Sequence, residues 1–133
     1  MPSPMQEYRF LVPLAADGDY AVYHKGIKWD ALKSGLLAVA GGFTDAGEVE
    51  GAWKDGERLV QERCRQFFVS IPFENRKKLE AIFRELCPKF SQQCIYVASG
   101  GKSWLVSEET GHSRREDREW AREALGLQLE LLA

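Results

Sequence analysis

Five residues offer acid–base and binding chemistry if the fold gathers them: Tyr23, His24, Trp53, Glu62 and Arg63. Together they supply an imidazole, a carboxylate, a guanidinium and aromatic walls. That mixture of apolar and polar groups is the lining of a small-ligand site. An imidazole and a carboxylate are also the usual carriers of protons in catalysis. The five would share one cleft if the segment from Tyr20 to Gly26 folds over an open sheet face. The simpler reading of the same residues is structural. It makes Glu62 and Arg63 solvated or ion-paired strand residues, and Trp53 a core or dimer-interface residue.

Other chemistries find less support. The candidate nucleophiles are Cys64, Ser70 and Ser103, and none sits in a nucleophile-elbow motif. Cys64 lies between Arg63 and Arg65, and nearby cations lower a thiol pKa. Adjacent strand residues point to opposite faces, however, so both arginines are expected to turn away from it. The three cysteines (Cys64, Cys87 and Cys94) are odd in number and contain no C-x-x-C pair. Neither a disulfide framework nor a Cys-rich zinc site is expected. His24 and His112 are far apart and lack metal-ligand spacing, so no metal and no cofactor are expected. Gly100-Gly101-Lys102-Ser103 ends like a phosphate-binding loop but lacks the upstream glycine, and a strand follows it. A hairpin turn explains it. Arg65-Gln66-Phe67-Phe68-Val69 is faintly similar to an RNA-stacking strand, yet it reads better as alternating core aromatics. With 18 basic and 20 acidic residues the net charge is −2, which steers neither nucleic acid nor anionic lipid.

The elements that must position these groups follow from periodicity. Tyr8, Phe10, Val12 and Leu14 alternate as one apolar face of a strand. A helix is predicted from about Lys28 to Ala40, with Trp29, Leu32, Leu36 and Val39 on one stripe and Gly41-Gly42 as its stop. Lys54-Asp55-Gly56-Glu57 predicts a hairpin between strands starting at Val49 and ending at Ile71. The return strand is long enough to suggest a bulge near Cys64. Leu79, Ile82, Phe83, Leu86, Cys87 and Phe90 define a second helix, with Asn75 as its N-cap and Pro88 in its last turn. Cys94 to Ala98 and Trp104 to Val106 read as two short strands. Ser113 and Glu116 form a capping box for a last helix. In that helix Trp120, Leu127 and Leu131 are candidate interface residues.

Several of these segments carry a resemblance. Gly41-Gly42-Phe43-Thr44, Gly51-Ala52-Trp53, Asp55-Gly56 and Phe90-Ser91-Gln92-Gln93-Cys94-Ile95-Tyr96-Val97 resemble small bacterial proteins of the domain-of-unknown-function type. Ser91 stands where their turn often has Gly. The resemblance covers roughly residues 8 to 107. It implies a ferredoxin-like fold, and no activity or catalytic residue comes with it.

Composition bounds the rest. With 133 residues, 44% hydrophobic, and no run of ~18 apolar residues, the chain suits one globular domain and no membrane-spanning helix. The N-terminal Met1-Pro2-Ser3-Pro4-Met5-Gln6-Glu7 lacks the apolar segment of a secretion signal, so a cytoplasmic location is expected. The expected fold is α+β: a ferredoxin-like βαββαβ antiparallel sheet with two helices on one face. An extra strand follows, then a helical extension from about residue 113, within a single domain over residues 1–133. The other sheet face would lack a cover, which predicts a homodimer. The function expected is a non-catalytic binding or assembly module. The alternative is a small-molecule enzyme or ligand sensor, with an acid–base pocket between the first helix, the 20–26 segment and the sheet.

Overall fold

The computed structural model describes residues 4–109 and 113–132, without the side chains of 19–21 and 127–132. The elements in chain order are β1 (Met5–Pro13), β2 (Ala15–Ala16), β3 (Asp19–Tyr23), α1 (Gly26–Ala40) and β4 (Thr44–Asp55). They continue with β5 (Arg58–Pro72), α2 (Arg76–Lys89), β6 (Cys94–Ser99), β7 (Lys102–Ser107) and α3 (Arg115–Leu132). Five strands form one sheet in the order β4-β5-β1-β6-β7. Every neighbouring pair in it is antiparallel. The fold is therefore mixed α+β. No helix among the described residues is long and apolar enough to cross a membrane.

Strand alternation sorts the two sheet faces. Tyr8, Phe10 and Val12 of β1, Phe67, Val69 and Ile71 of β5, and Ile95 and Val97 of β6 are all buried. Phe10 and Phe67 stack at 5.4 Å between ring centroids, at the centre of this face. The helices cover it: Phe83 of α2 tilts onto Phe10 at 4.9 Å, and Trp29 of α1 stacks on Phe67 at 6.2 Å. Removing this much apolar surface from water is the main stabilising term of the domain.

α3 packs against both α1 and α2. Its Ala121 and Leu125 are buried. Gly35 of α1 makes the close approach possible, since an added Cβ there would lie 2.7 Å from Leu125 Cδ2. Buried Glu85 of α2 accepts hydrogen bonds from Arg118 Nε at 3.4 Å and Arg122 Nε at 3.1 Å. Two cations thus compensate one desolvated carboxylate and fix the register of α3.

Four local expectations are corrected. The irregularity falls not near Cys64 but in β4 between Asp45 and Gly47, where Gly47 takes φ +83. Glycine reaches that region without steric cost, which β5 has no residue to do. β4 also starts at Thr44, well before Val49. Asn75 makes no side-chain cap on α2; its amide donates to the Val39 carbonyl instead, tying the end of α1 to the start of α2. The Ser113–Glu116 capping box does not form, and Ser113 Oγ is buried without a partner. The segment from Tyr20 supplies most of β3, which pairs with β2 as a small hairpin. Its brace is polar: Asp17 N–H donates to the Ser91 carbonyl and Gln92 Nε2 to the Ala15 carbonyl. Ser91 itself holds a left-handed φ of +51.

Candidate functional site

The second sheet face carries two cross-sheet rows defined by the ladder registers. Thr44, Phe68, Arg9, Ala98 and Ser103 lie side by side across all five strands. Gly47, Gln66, Leu11, Tyr96 and Leu105 form the next row. Among the described residues, no helix packs on this side. Small residues (Thr44, Ala98 and Ser103) flank Phe68 and Arg9 in the first row, which leaves room for a hollow beside them.

The hollow has a volume of about 650 Å³, and its lining includes Glu7, Arg9, Phe68, Tyr96, Ala98 and Ser103. The glycine turn Gly100-Gly101 closes one side. This size falls within the range of small-molecule sites. Tyr96 is its most perturbed group. Hydrogen bonds from Ser103 and Arg9, together with the Arg9 charge, hold its phenol pKa below the usual 10.0. The hollow thus offers an aromatic face, a guanidinium, a carboxylate and an acidified phenol.

A second cavity of about 320 Å³ adjoins it, lined by the turn Ala40–Thr44 and by Val69 and Ser70 of β5. The two cavities have Glu7 and Phe68 in common.

The five residues singled out by type do not converge. Tyr23, Glu62 and Arg63 border a separate recess of about 160 Å³ with Pro13 and Leu14. Arg63 is only nominally part of it, because its guanidinium donates to Glu48 at 2.8 Å on the other side of the strand. Trp53 is half exposed on the outer part of the β4–β5 hairpin and does not line the recess. His24 turns away into an aromatic nest, 4.9 Å from Phe90 and 6.0 Å from Trp29. Burial there, with the Lys28 charge, lowers its pKa despite the nearby Ala15 and Pro13 carbonyls. Its Nε2 is buried without a formed hydrogen bond. The imidazole and the carboxylate of the expected acid–base pair therefore serve different surroundings.

Cys64 is a structural thiol. It donates to Glu62 Oε1 at 3.4 Å, and burial with the Glu62 charge pushes its pKa up to about 12. Arg65 faces the helices, where its guanidinium lies 5.6 Å over the Trp29 ring. Of the candidate interface residues, Trp120 is half-buried within its own chain, with Lys78 Nζ 5.1 Å over its ring. The side chains of Leu127 and Leu131, and His112 altogether, lie outside the described residues.

Residue typing missed Glu7, Arg9 and Phe68. One signal for them existed. Arg9 and Phe68 sit out of phase with the buried Tyr8–Phe10 and Phe67–Val69 alternations, so a polar-aromatic pair on the open face was implied.

No protein-family model and no curated protein matches this chain. Solved structures do. A phage SAM lyase in complex with S-methyl-5'-thioadenosine matches with a TM-score of 0.61 at 17% identity, over 84% of this chain and 96% of that one. The phage SAM lyase in its apo state matches with a TM-score of 0.51 at 18% identity, over 80% and 92%. At such identities the likeness establishes a shared fold. It corrects the expectation of a non-catalytic assembly module, because both of these solved structures are of an enzyme, one of them in complex with S-methyl-5'-thioadenosine. The alternative, a small-molecule enzyme or ligand sensor, accounts for the findings better.

Proposed function

We propose that the chain binds a sulfonium nucleoside of the S-adenosylmethionine kind on its open sheet face and cleaves its carbon–sulfur bond. The observation that carries this reading is the 650 Å³ hollow, which combines Phe68, Arg9, Tyr96 and Glu7 on the fold shared with the lyase. In the same reading β4-β5-β1-β6 is a ferredoxin-like core, and β7 is an edge strand added beside it.

Each part of such a ligand has a counterpart. A purine stacks on an aromatic ring such as Phe68. Arg9 suits an anionic or hydroxyl-rich portion through charge-assisted hydrogen bonds. The permanently charged sulfur is stabilised by Glu7 and by the Tyr96 phenol. Cleavage asks for little machinery. Both electrons of the broken bond leave with sulfur, which becomes a neutral thioether, so no acid need protonate the leaving group. The carbon fragment closes onto its own carboxylate, or the C–H electrons beside it form a double bond as the proton passes to the deprotonated Tyr96 oxygen. The two products are isomers that proton NMR separates.

The test is incubation with S-adenosylmethionine and chromatographic detection of S-methyl-5'-thioadenosine. Tyr96→Phe is expected to lower the turnover by about 10²-fold or more. Absence of both turnover and binding of either compound at millimolar concentration would show the reading to be wrong.

A further inference from the structure

The 320 Å³ cavity beside the Ala40–Thr44 turn has no part in the nucleoside site described above, yet it shares Glu7 and Phe68 with it. We infer that the two cavities form one bipartite site, in which the smaller takes a zwitterionic α-amino acid chain carried by the nucleoside. This inference rests on the sulfonium-nucleoside reading and names how its two halves are divided.

Three observations lead to it. A ligand occupying both cavities must cross at their common wall, made of a carboxylate, Glu7, and an aromatic ring, Phe68. Both groups favour a cation at that crossing, the first by charge and the second through its ring face. In a sulfonium nucleoside the cation is the atom that joins the nucleoside to the amino acid chain, so the wall matches the joint.

The lining of the smaller cavity is also suited to an amino acid. Glu7 and Ser70 are cross-strand partners on the same face, and Thr44 stands beside them. Their oxygens accept from an ammonium group. The backbone supplies the complement. The β4–β5 ladder begins at the Thr44–Phe68 pair, so β5 runs on through Val69 and Ser70 without β4 beside it. Alternate residues of a strand turn their N–H and C=O to the same side. This stretch of β5 therefore presents an unladdered polar edge to the cavity, able to hydrogen-bond a carboxylate.

Size is consistent with the division. The larger hollow accommodates the nucleoside, and the smaller one has ample room for a four-carbon chain.

The experiment compares two stable ligands by titration calorimetry. S-methyl-5'-thioadenosine lacks the amino acid chain, and S-adenosylhomocysteine carries it. The wild-type protein is expected to bind the second more tightly. Gly42→Leu should fill the smaller cavity; Gly42 has no left-handed φ, and an added Cβ there meets nothing within 4 Å. S-adenosylhomocysteine affinity is expected to fall about tenfold or more, which is ~1.4 kcal/mol, while thioadenosine affinity stays within about twofold. Ser70→Leu is the second variant and should behave alike; retained thioadenosine binding reports that each variant is folded. Equal affinity of the two ligands for the wild type overturns the inference, as does an equal change for both in the variants. Failure of the wild type to bind either ligand, together with no turnover of S-adenosylmethionine, overturns the parent reading instead.

Discussion

Phe67 and Phe68 are neighbours in the chain and opposites in environment. Phe67 is fully buried, stacked on Phe10 and Trp29, and it belongs to the core. Phe68 stands on the open face and forms the wall between two cavities. One peptide bond separates a residue that holds the domain together from one placed to meet a ligand. The same division holds along β1, where Phe10 serves the core and Arg9 the hollow. In the proposed reading, stability and binding are carried by alternate residues of the same strands, so either can change with little effect on the other.

The contrast is open to attack at four points. Phe67→Ala should show the largest effect, a loss of about 3–5 kcal/mol in denaturant unfolding, because it removes stacked atoms and leaves a cavity. Phe68→Ala should cost less than about 1 kcal/mol in the same measurement but weaken nucleoside binding severalfold. Similar unfolding losses for the two variants would erase the distinction.

The third point is pH. Burial alone would raise the Asp45 carboxyl, but the Arg65 hydrogen bond, the Gly47 N–H and the charges of Arg65 and Lys33 outweigh it. Its folded pKa therefore lies below the ordinary 3.8. The stability it confers is present above that ordinary value and is lost as pH falls through the lowered one. Asp45→Asn should flatten this acid dependence in unfolding curves recorded at successive pH values. An unchanged acid limb would remove the Lys33–Asp45–Arg65 cluster from the account of the covered face.

The smallest effect belongs to the open face and to alkali. Ser103→Ala should move the Tyr96 phenol titration upward, toward 10.0, in ultraviolet difference spectra, with Tyr96→Phe as the assignment control. A stationary titration would mean that Ser103 does not tune the phenol.

The covered face was legible in the sequence because one alternation, 8-10-12 and 67-69-71, marks it directly. The helical stripes of α1 and α2 were legible for the same reason, and so was the Lys54–Glu57 turn. The hollow was not. Its floor is a row contributed by Thr44, Phe68, Arg9, Ala98 and Ser103, which are scattered through the chain and meet only once strand order and register are fixed. Residue type pointed to His24 and Glu62 because they titrate usefully in water. Burial of His24 against Trp29 and Phe90, and the bond between Glu62 and Cys64, are tertiary facts that residue type does not contain. The Gly100–Ser103 segment shows the opposite case: reading it as a hairpin turn described its backbone and overlooked the cavity it borders.

The central position of β1 has a consequence for biosynthesis. β1 is the central strand of the five, and its partners, both later in the sequence, are Cys64–Pro72 on one side and Tyr96–Ala98 on the other. Its pairing on both sides therefore waits until β5 and then β6 have been made. The helix that completes the layer, α3, follows both of these strands in the chain. The local hairpins β4–β5 and β6–β7 can form before the sheet closes around β1. A nascent chain stalled before residue 94 would leave the backbone N–H and C=O groups of Arg9–Leu11 along one bare edge, a template for pairing with other chains.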